Sequence, residues 1–214
     1  MRRGSAARVF FSMSCVLLGL TTGCSEGGEK PDVRDDDSSD GGAGATAPND
    51  VTVPFALDDH FFASGWMGAA VDGNVFIDPN GCKPRIEGAQ GRCHLFESEG
   101  GGAVGWVGLY WLSTANNWGQ MPGLSVEAGA RRVSFLAASD PPRSVRFLVG
   151  GVEGNVPHPD HFKAETTFSL SGELERYEID MTALDYTTGV QGGFGWVIDG
   201  GQPAKLWIDD LRWE

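Results

Sequence analysis

The stretch WVGLYWLSTANNWGQMPG, residues 106–123, decides how the chain is read. From residue 104 to 112 it is apolar and alternates between two faces. Val104, Trp106, Gly108 and Tyr110 fall on one face, and Val107, Leu109 and Trp111 on the other. Large side chains on both faces predict a strand buried on both sides, or buried on one while the other floors a groove. The polar second half favours the groove. Asn116, Asn117 and Gln120 bring amide donors and acceptors beside the flat indole of Trp118. Sugars need that pairing, because their hydroxyls both donate and accept while their C–H faces stack on rings. The alternative is a core strand followed by ordinary Asn-Gly-Pro turn chemistry.

Outward from this stretch, residues 51–214 are long enough for one well-buried core. Short apolar or alternating runs predict strands near 51–57, 61–67, 93–99, 104–112, 131–138, 144–149, 165–171, 175–181, 193–198 and 205–212. Gly, Pro, Asn and Asp separate them, and no long helical period interrupts them. The pattern predicts an all-β domain, a sandwich or a barrel. Val133, Phe135 and Ala137 face the core from one strand, and Val145, Phe147 and Val149 from the next. Cys82 and Cys93 close the short loop GCKPRIEGAQGRCH, and in an exported protein a disulfide between them is the expectation.

The amino terminus reads as an address. Arg2, Arg3 and Arg8 precede an apolar run from Val9 to Leu20, which is too short to span a bilayer. The segment Leu20-Thr21-Thr22-Gly23-Cys24 resembles a bacterial lipobox, although Thr21 stands where Leu is usual. That resemblance implies a signal peptide over 1–23, lipidation of Cys24 and, with Ser25 following, sorting to the outer membrane. An ordinary secretory signal is the alternative. Each buried lipid methylene contributes roughly 0.8 kcal/mol, so several acyl chains anchor stably. Residues 25–50 hold eight acids against two bases and no aromatic residue. Too little apolar surface is present there to offset the entropy of ordering, so 24–50 reads as an anchored Cys followed by a disordered, self-repelling tether. The formal net charge of −13 argues against nucleic acid as a partner. Contact with a membrane is expected through the lipid alone.

Three pieces resemble the galactose-binding-like jelly-roll domains of the carbohydrate-binding-module type that accompany bacterial glycoside hydrolases. They are GLYWLSTANNWGQMPGLSV (108–126), RRVSFLAAS with VRFLVGG (131–139 and 145–151), and GGFGWVI with KLWIDDLRWE (192–198 and 205–214). The resemblance implies a two-sheet antiparallel jelly-roll β-sandwich with sugar on a sheet face or in edge loops. It also implies a structural calcium, with Asp209 as a ligand helped by Asp58 or Asp59. Against calcium stands the simpler expectation that these acids face solvent, or that one pairs with an arginine such as Arg212.

Catalytic patterns are sparse. Glu178-Ile179-Asp180 resembles the E-x-D core of a jelly-roll glucanase family, but Thr182 and Ala183 stand where the partner Glu is needed. Glu97 and Glu99 share a strand face, and His158 and His161 flank Pro159 in an irregular loop. The expectation is therefore a non-enzymatic, lipid-anchored envelope protein that binds a polysaccharide or other glycan. Trp118 would stack on sugar, Trp106, Tyr110 and Trp196 would be further platforms, and Asn116, Asn117 and Gln120 would supply hydrogen bonds. Two alternatives stay open: a lipoprotein that docks another envelope protein, and a polysaccharide-cleaving enzyme.

Overall fold

Alternating residues need an apolar layer on one side, and here two sheets supply it to each other. The computed structural model describes residues 51–82 and 85–214. The leader, Cys24 and the tether lie outside the described residues. Eleven strands are present among those described. One sheet contains β1 (Phe55–Ala56), β3 (Val75–Asp78), β4 (His94–Ser98), β6 (Arg132–Asp140), β9 (Glu175–Asp180) and β11 (Ala204–Trp213). The other contains β2 (Phe62–Gly68), β5 (Trp106–Leu112), β7 (Arg143–Gly150), β8 (Lys163–Leu170) and β10 (Gly192–Asp199). Their orders are β3-β4-β11-β6-β9, with β1 also on β11, and β2-β5-β10-β7-β8. Every strand pairing is antiparallel. This is the two-sheet jelly-roll sandwich that the sequence implied.

The strand expectations hold with three adjustments. β3 went unread because its run VFID is short and carries no flanking alternation. The first run, at 51–57, pairs as a strand only over Phe55–Ala56. Val104 closes a 3₁₀ turn, Gly102–Val104, and is exposed, so β5 begins at Trp106.

The core lies between the sheets. Val107, Leu109 and Trp111 of β5, Phe194, Trp196 and Ile198 of β10, and Val145, Phe147 and Val149 of β7 point into it. Val133, Phe135 and Ala137 of β6 and Leu206 and Ile208 of β11 meet them from the opposite sheet. Aromatic rings fill its centre: Phe135 lies 4.7 Å from Phe147 and 5.0 Å from Phe194, and Phe96 lies 5.1 Å from Trp196. Such pairs contribute about 0.5–1.5 kcal/mol each beyond area burial. Trp196 is therefore a core residue and not a sugar platform. Its neighbours explain the error, since in GGFGWVI Gly195 and Val197 take the outward register and Phe194, Trp196 and Ile198 the inward one.

The Cys82–Cys93 disulfide forms, with Cα atoms 5.6 Å apart. Its loop rests on the outer side of the six-stranded sheet and is pinned by two consecutive acids. Arg85 holds the fully buried Asp209 through both carboxylate oxygens. The backbone N–H of Gln90 donates to Asp210 at 2.8 Å. Asp210 also takes Arg176 and, at 2.8 Å, Arg212. A bulge between Asp209 and Arg212, with Asp210 at φ 50, makes this arrangement possible. Burial would raise the Asp210 carboxyl, but Arg212, the Gln90 N–H and Arg176 outweigh it and hold the group at about 2. The Arg85 guanidinium thus stands against Asp209, the residue the resemblance named as a calcium ligand. Asp58 is likewise engaged, accepting from Trp111 Nε1 at 3.0 Å and the Arg92 N–H at 2.9 Å and meeting His94 Nε2 at 2.8 Å. Asp59 is exposed.

Candidate functional site

The outer face of the five-stranded sheet carries a second apolar cluster, separate from the core. Tyr110, Leu112, Leu148, Val152 and Val197 form it, with Met67, Trp106 and Trp118 packed against them. Period-two alternation puts them there. Where β5 sends Val107, Leu109 and Trp111 inward, Trp106 and Tyr110 must point out. Leu148 and Arg146 stand outward on β7 for the same reason, and Val197 and Asp199 on β10. Together these side chains line a groove of about 370 Å³.

Its aromatic wall depends on what two glycines lack. A Cβ at Gly65 would fall 2.8 Å from Tyr110 Cβ and 3.0 Å from Trp118 Cζ2. One at Gly68 would fall 2.8 Å from the Trp106 ring and 2.5 Å from its carbonyl oxygen, and Gly68 has φ +58. Both indoles therefore sit on β2, Trp118 over Gly65 and Trp106 over Gly68. Three residues of strand separate the two seats, or about 10 Å at 3.3 Å per residue. Tyr110, the β5 partner of Gly65, lies beside Trp118 as the floor. Its hydroxyl donates to the Gly150 carbonyl at 3.0 Å, and Trp118 meets it edge to face at 5.8 Å. Burial, reinforced by the nearby Asp160 carboxylate, pushes the Tyr110 hydroxyl above its ordinary range, so it stays protonated.

The opposite wall is charged. Arg146 reaches Glu165 at 3.4 Å and Asp199 at 3.9 Å, and Lys163 reaches Glu165 at 3.2 Å. Arg146 Nε is buried and has no hydrogen-bond partner among the described residues. Burial tends to raise the Glu165 carboxyl, but Lys163 and Arg146 prevail and hold it below the usual range. A carboxylate in that state accepts hydrogen bonds from hydroxyls and is unsuited to general-acid work. The groove thus offers stacking surface on one side and directional donors and acceptors on the other.

Of the residues singled out in the sequence, the structure brings Trp106, Tyr110 and Trp118 together. Both indoles are partly exposed, whereas Tyr110 is only 4 % exposed and serves as floor rather than platform. The amides are elsewhere. Asn117 is buried and spans its own turn, accepting from the Met121 N–H at 3.0 Å and donating to the Met121 carbonyl at 3.1 Å. Asn116, at φ 60, and Gln120 are exposed on the turn but do not line the groove. A turn that closes around a tryptophan uses the Asn117 amide on its own backbone. Met67, Arg146, Leu148, Lys163 and Glu165 were not anticipated. The signal was the lone Leu148 in the outward register of VRFLVGG, an apolar residue where a solvated face needs none.

The other groups considered stay apart from the groove. Glu178 and Asp180 are exposed on β9, and Glu178 faces Arg132 at 3.6 Å. Glu97 pairs with Lys205 at 2.6 Å. His158 and His161 are exposed.

No family model and no curated protein matches the sequence. Among solved structures, the chain is similar to the family 11 carbohydrate-binding module of cellulosomal cellulase Lic26A-Cel5E of Clostridium thermocellum. That likeness has 12 % identity and a TM-score of 0.46 over 76 % of this chain and 95 % of the other. It is also similar to a mutant of CBM29-2, from the family 29 carbohydrate-binding modules, with 16 % identity and a TM-score of 0.42 over 75 % and 91 %. A third is the BiXyn10A CBM1 in its apo form, with 13 % identity and a TM-score of 0.41 over 77 % and 98 %.

Proposed function

We propose that this protein captures a glycan chain without cleaving it, in the groove on the outer face of the five-stranded sheet. One observation carries the reading: two partly exposed indoles are seated on Gly65 and Gly68 along one wall, facing the Arg146–Glu165–Lys163 wall across a tyrosine floor. An indole stacks on the C–H face of a pyranose, and the charged wall supplies hydrogen bonds to its hydroxyls. Seats about 10 Å apart suit a chain of at least two sugars whose rings meet the wall in turn. Glu165, held ionised, acts as an acceptor. Lipidation at Cys24 and an acidic tether would hold this domain off an outer membrane.

The test is a titration of soluble polysaccharides into the protein, followed by tryptophan fluorescence and calorimetry. A saturable emission change that vanishes in Trp118→Ala is expected. A flat response across a broad glycan panel would remove the proposal, and release of reducing ends would replace it with an enzyme. Anchoring is checked by detergent partitioning, where Cys24→Ser is expected to move the protein to the aqueous phase.

A further inference from the structure

Gln191, the residue before β10, is 1 % exposed, and all four of its polar atoms are engaged. Its backbone N–H donates to Asp160 Oδ1 at 2.7 Å, and its carbonyl accepts from the Ser113 N–H at 2.9 Å. The side-chain oxygen accepts from Ser113 Oγ at 3.0 Å and Asn117 Nδ2 at 2.9 Å. The side-chain nitrogen donates to the Met121 carbonyl at 2.7 Å. Asn117 and Met121 bracket Trp118, so the amide of Gln191 grips the turn on both sides of the indole.

The same residue reaches the other rim. Asp160 Oδ2 accepts from the N–H groups of Val152 at 2.9 Å and Gly192 at 3.1 Å, and Val152 lines the groove. The His158 N–H donates to the Gly119 carbonyl at 3.0 Å, a direct second tie between the loops. Two donors must be received and one carbonyl met, and the amide does so from two separate atoms while staying neutral.

We infer that Gln191 is the positioning residue of the groove. Acting through Asn117 and Met121, it fixes the Trp118 indole over Gly65, and through Asp160 it joins the two rims into one unit. The consequence for affinity rests on the glycan-capture reading above, but the placement of Trp118 does not.

The experiment incorporates 5-fluorotryptophan into the protein, whose seven tryptophans each give a fluorine resonance. Trp118 is assigned from Trp118→Phe. In Gln191→Met, the Trp118 resonance is expected to broaden and move toward its solvent-exposed position, while those of the core residues Trp111 and Trp196 stay in place. Affinity for any glycan that binds the native protein falls about tenfold, the usual result of a site left loosely supported. Should Gln191→Met not fold, Ser113→Ala, which removes one donor to the amide oxygen, shifts the same resonance by less. An unmoved Trp118 resonance in the folded variant overturns the inference, as does a shift shared by the core tryptophans. A shifted Trp118 in a protein that binds no glycan upholds the role of Gln191 and removes the function alone.

Discussion

Trp118 stands edge-on to Tyr110, with ring centroids 5.8 Å apart and planes at 83°. The contact leaves one ring buried as floor and the other partly open to water, so the two aromatics of this pair have different work. Removing the open ring should therefore cost binding more than folding.

Trp118→Ala is expected to weaken glycan binding by at least about 30-fold, the range of an aromatic hot spot. Its thermal midpoint should move only a few degrees, because the ring belongs to the outer cluster. Calorimetric titration and thermal unfolding of the same sample check both halves. Loss of folding would place Trp118 among the residues that hold the sandwich together.

Trp196→Ala should behave in the opposite way. The ring is fully buried between Phe96 and the rest of the core, so its truncation should cost about 3–5 kcal/mol of stability. Urea denaturation measures this directly. A neutral result would restore Trp196 as a surface platform.

Acid should unfold the protein partly through Asp210. Its folded value of about 2 lies below the ordinary 3.8, so the folded state binds fewer protons there than the unfolded chain. That contribution is complete above pH 3.8 and is lost as the pH falls toward 2. Asp58, Glu165 and Glu214 are shifted in the same direction; for each, burial pulls upward and the hydrogen-bonded partners pull harder downward. Asp160 runs the other way, because burial raises its carboxyl, and its share declines as the pH rises. Urea midpoints of the native protein and Asp210→Asn between pH 2 and 6 are expected to diverge in slope below pH 4. Parallel curves would contradict the assignment.

Replacing both Cys82 and Cys93 with Ser should cost about 2–3 kcal/mol, from the entropy of a short closed loop. The groove lies on the other sheet, so glycan affinity should be unchanged at temperatures where the variant is folded. Denaturation and titration of the same variant separate the two effects. A variant that is stable but binds poorly would link the disulfide loop to the groove.

The strand period made most of this fold legible. Alternation in residues 106–112 put Trp106 and Tyr110 on one face and Val107, Leu109 and Trp111 on the other, since adjacent side chains on a strand cannot share a face. Trp196 was misread because aromatic character was weighed above register, although Phe194 and Ile198 flank it at the inward spacing. Asn117 was misread for a different reason. Amide chemistry is the same whether it serves a sugar or its own backbone, and only the burial of the turn distinguishes them. The charged wall was invisible because Arg146 and Glu165 come from β7 and β8, whose meeting with β5 depends on sheet order rather than on any local pattern.

Gly65 and Gly68 carry a consequence of their own. Because the recess is shaped by missing carbon, even one methyl group at either position would meet the Tyr110 Cβ or the Trp106 carbonyl and push an indole off its seat. A substitution there reshapes the groove without replacing an indole, so these two glycines are as fixed a part of it as the rings they seat.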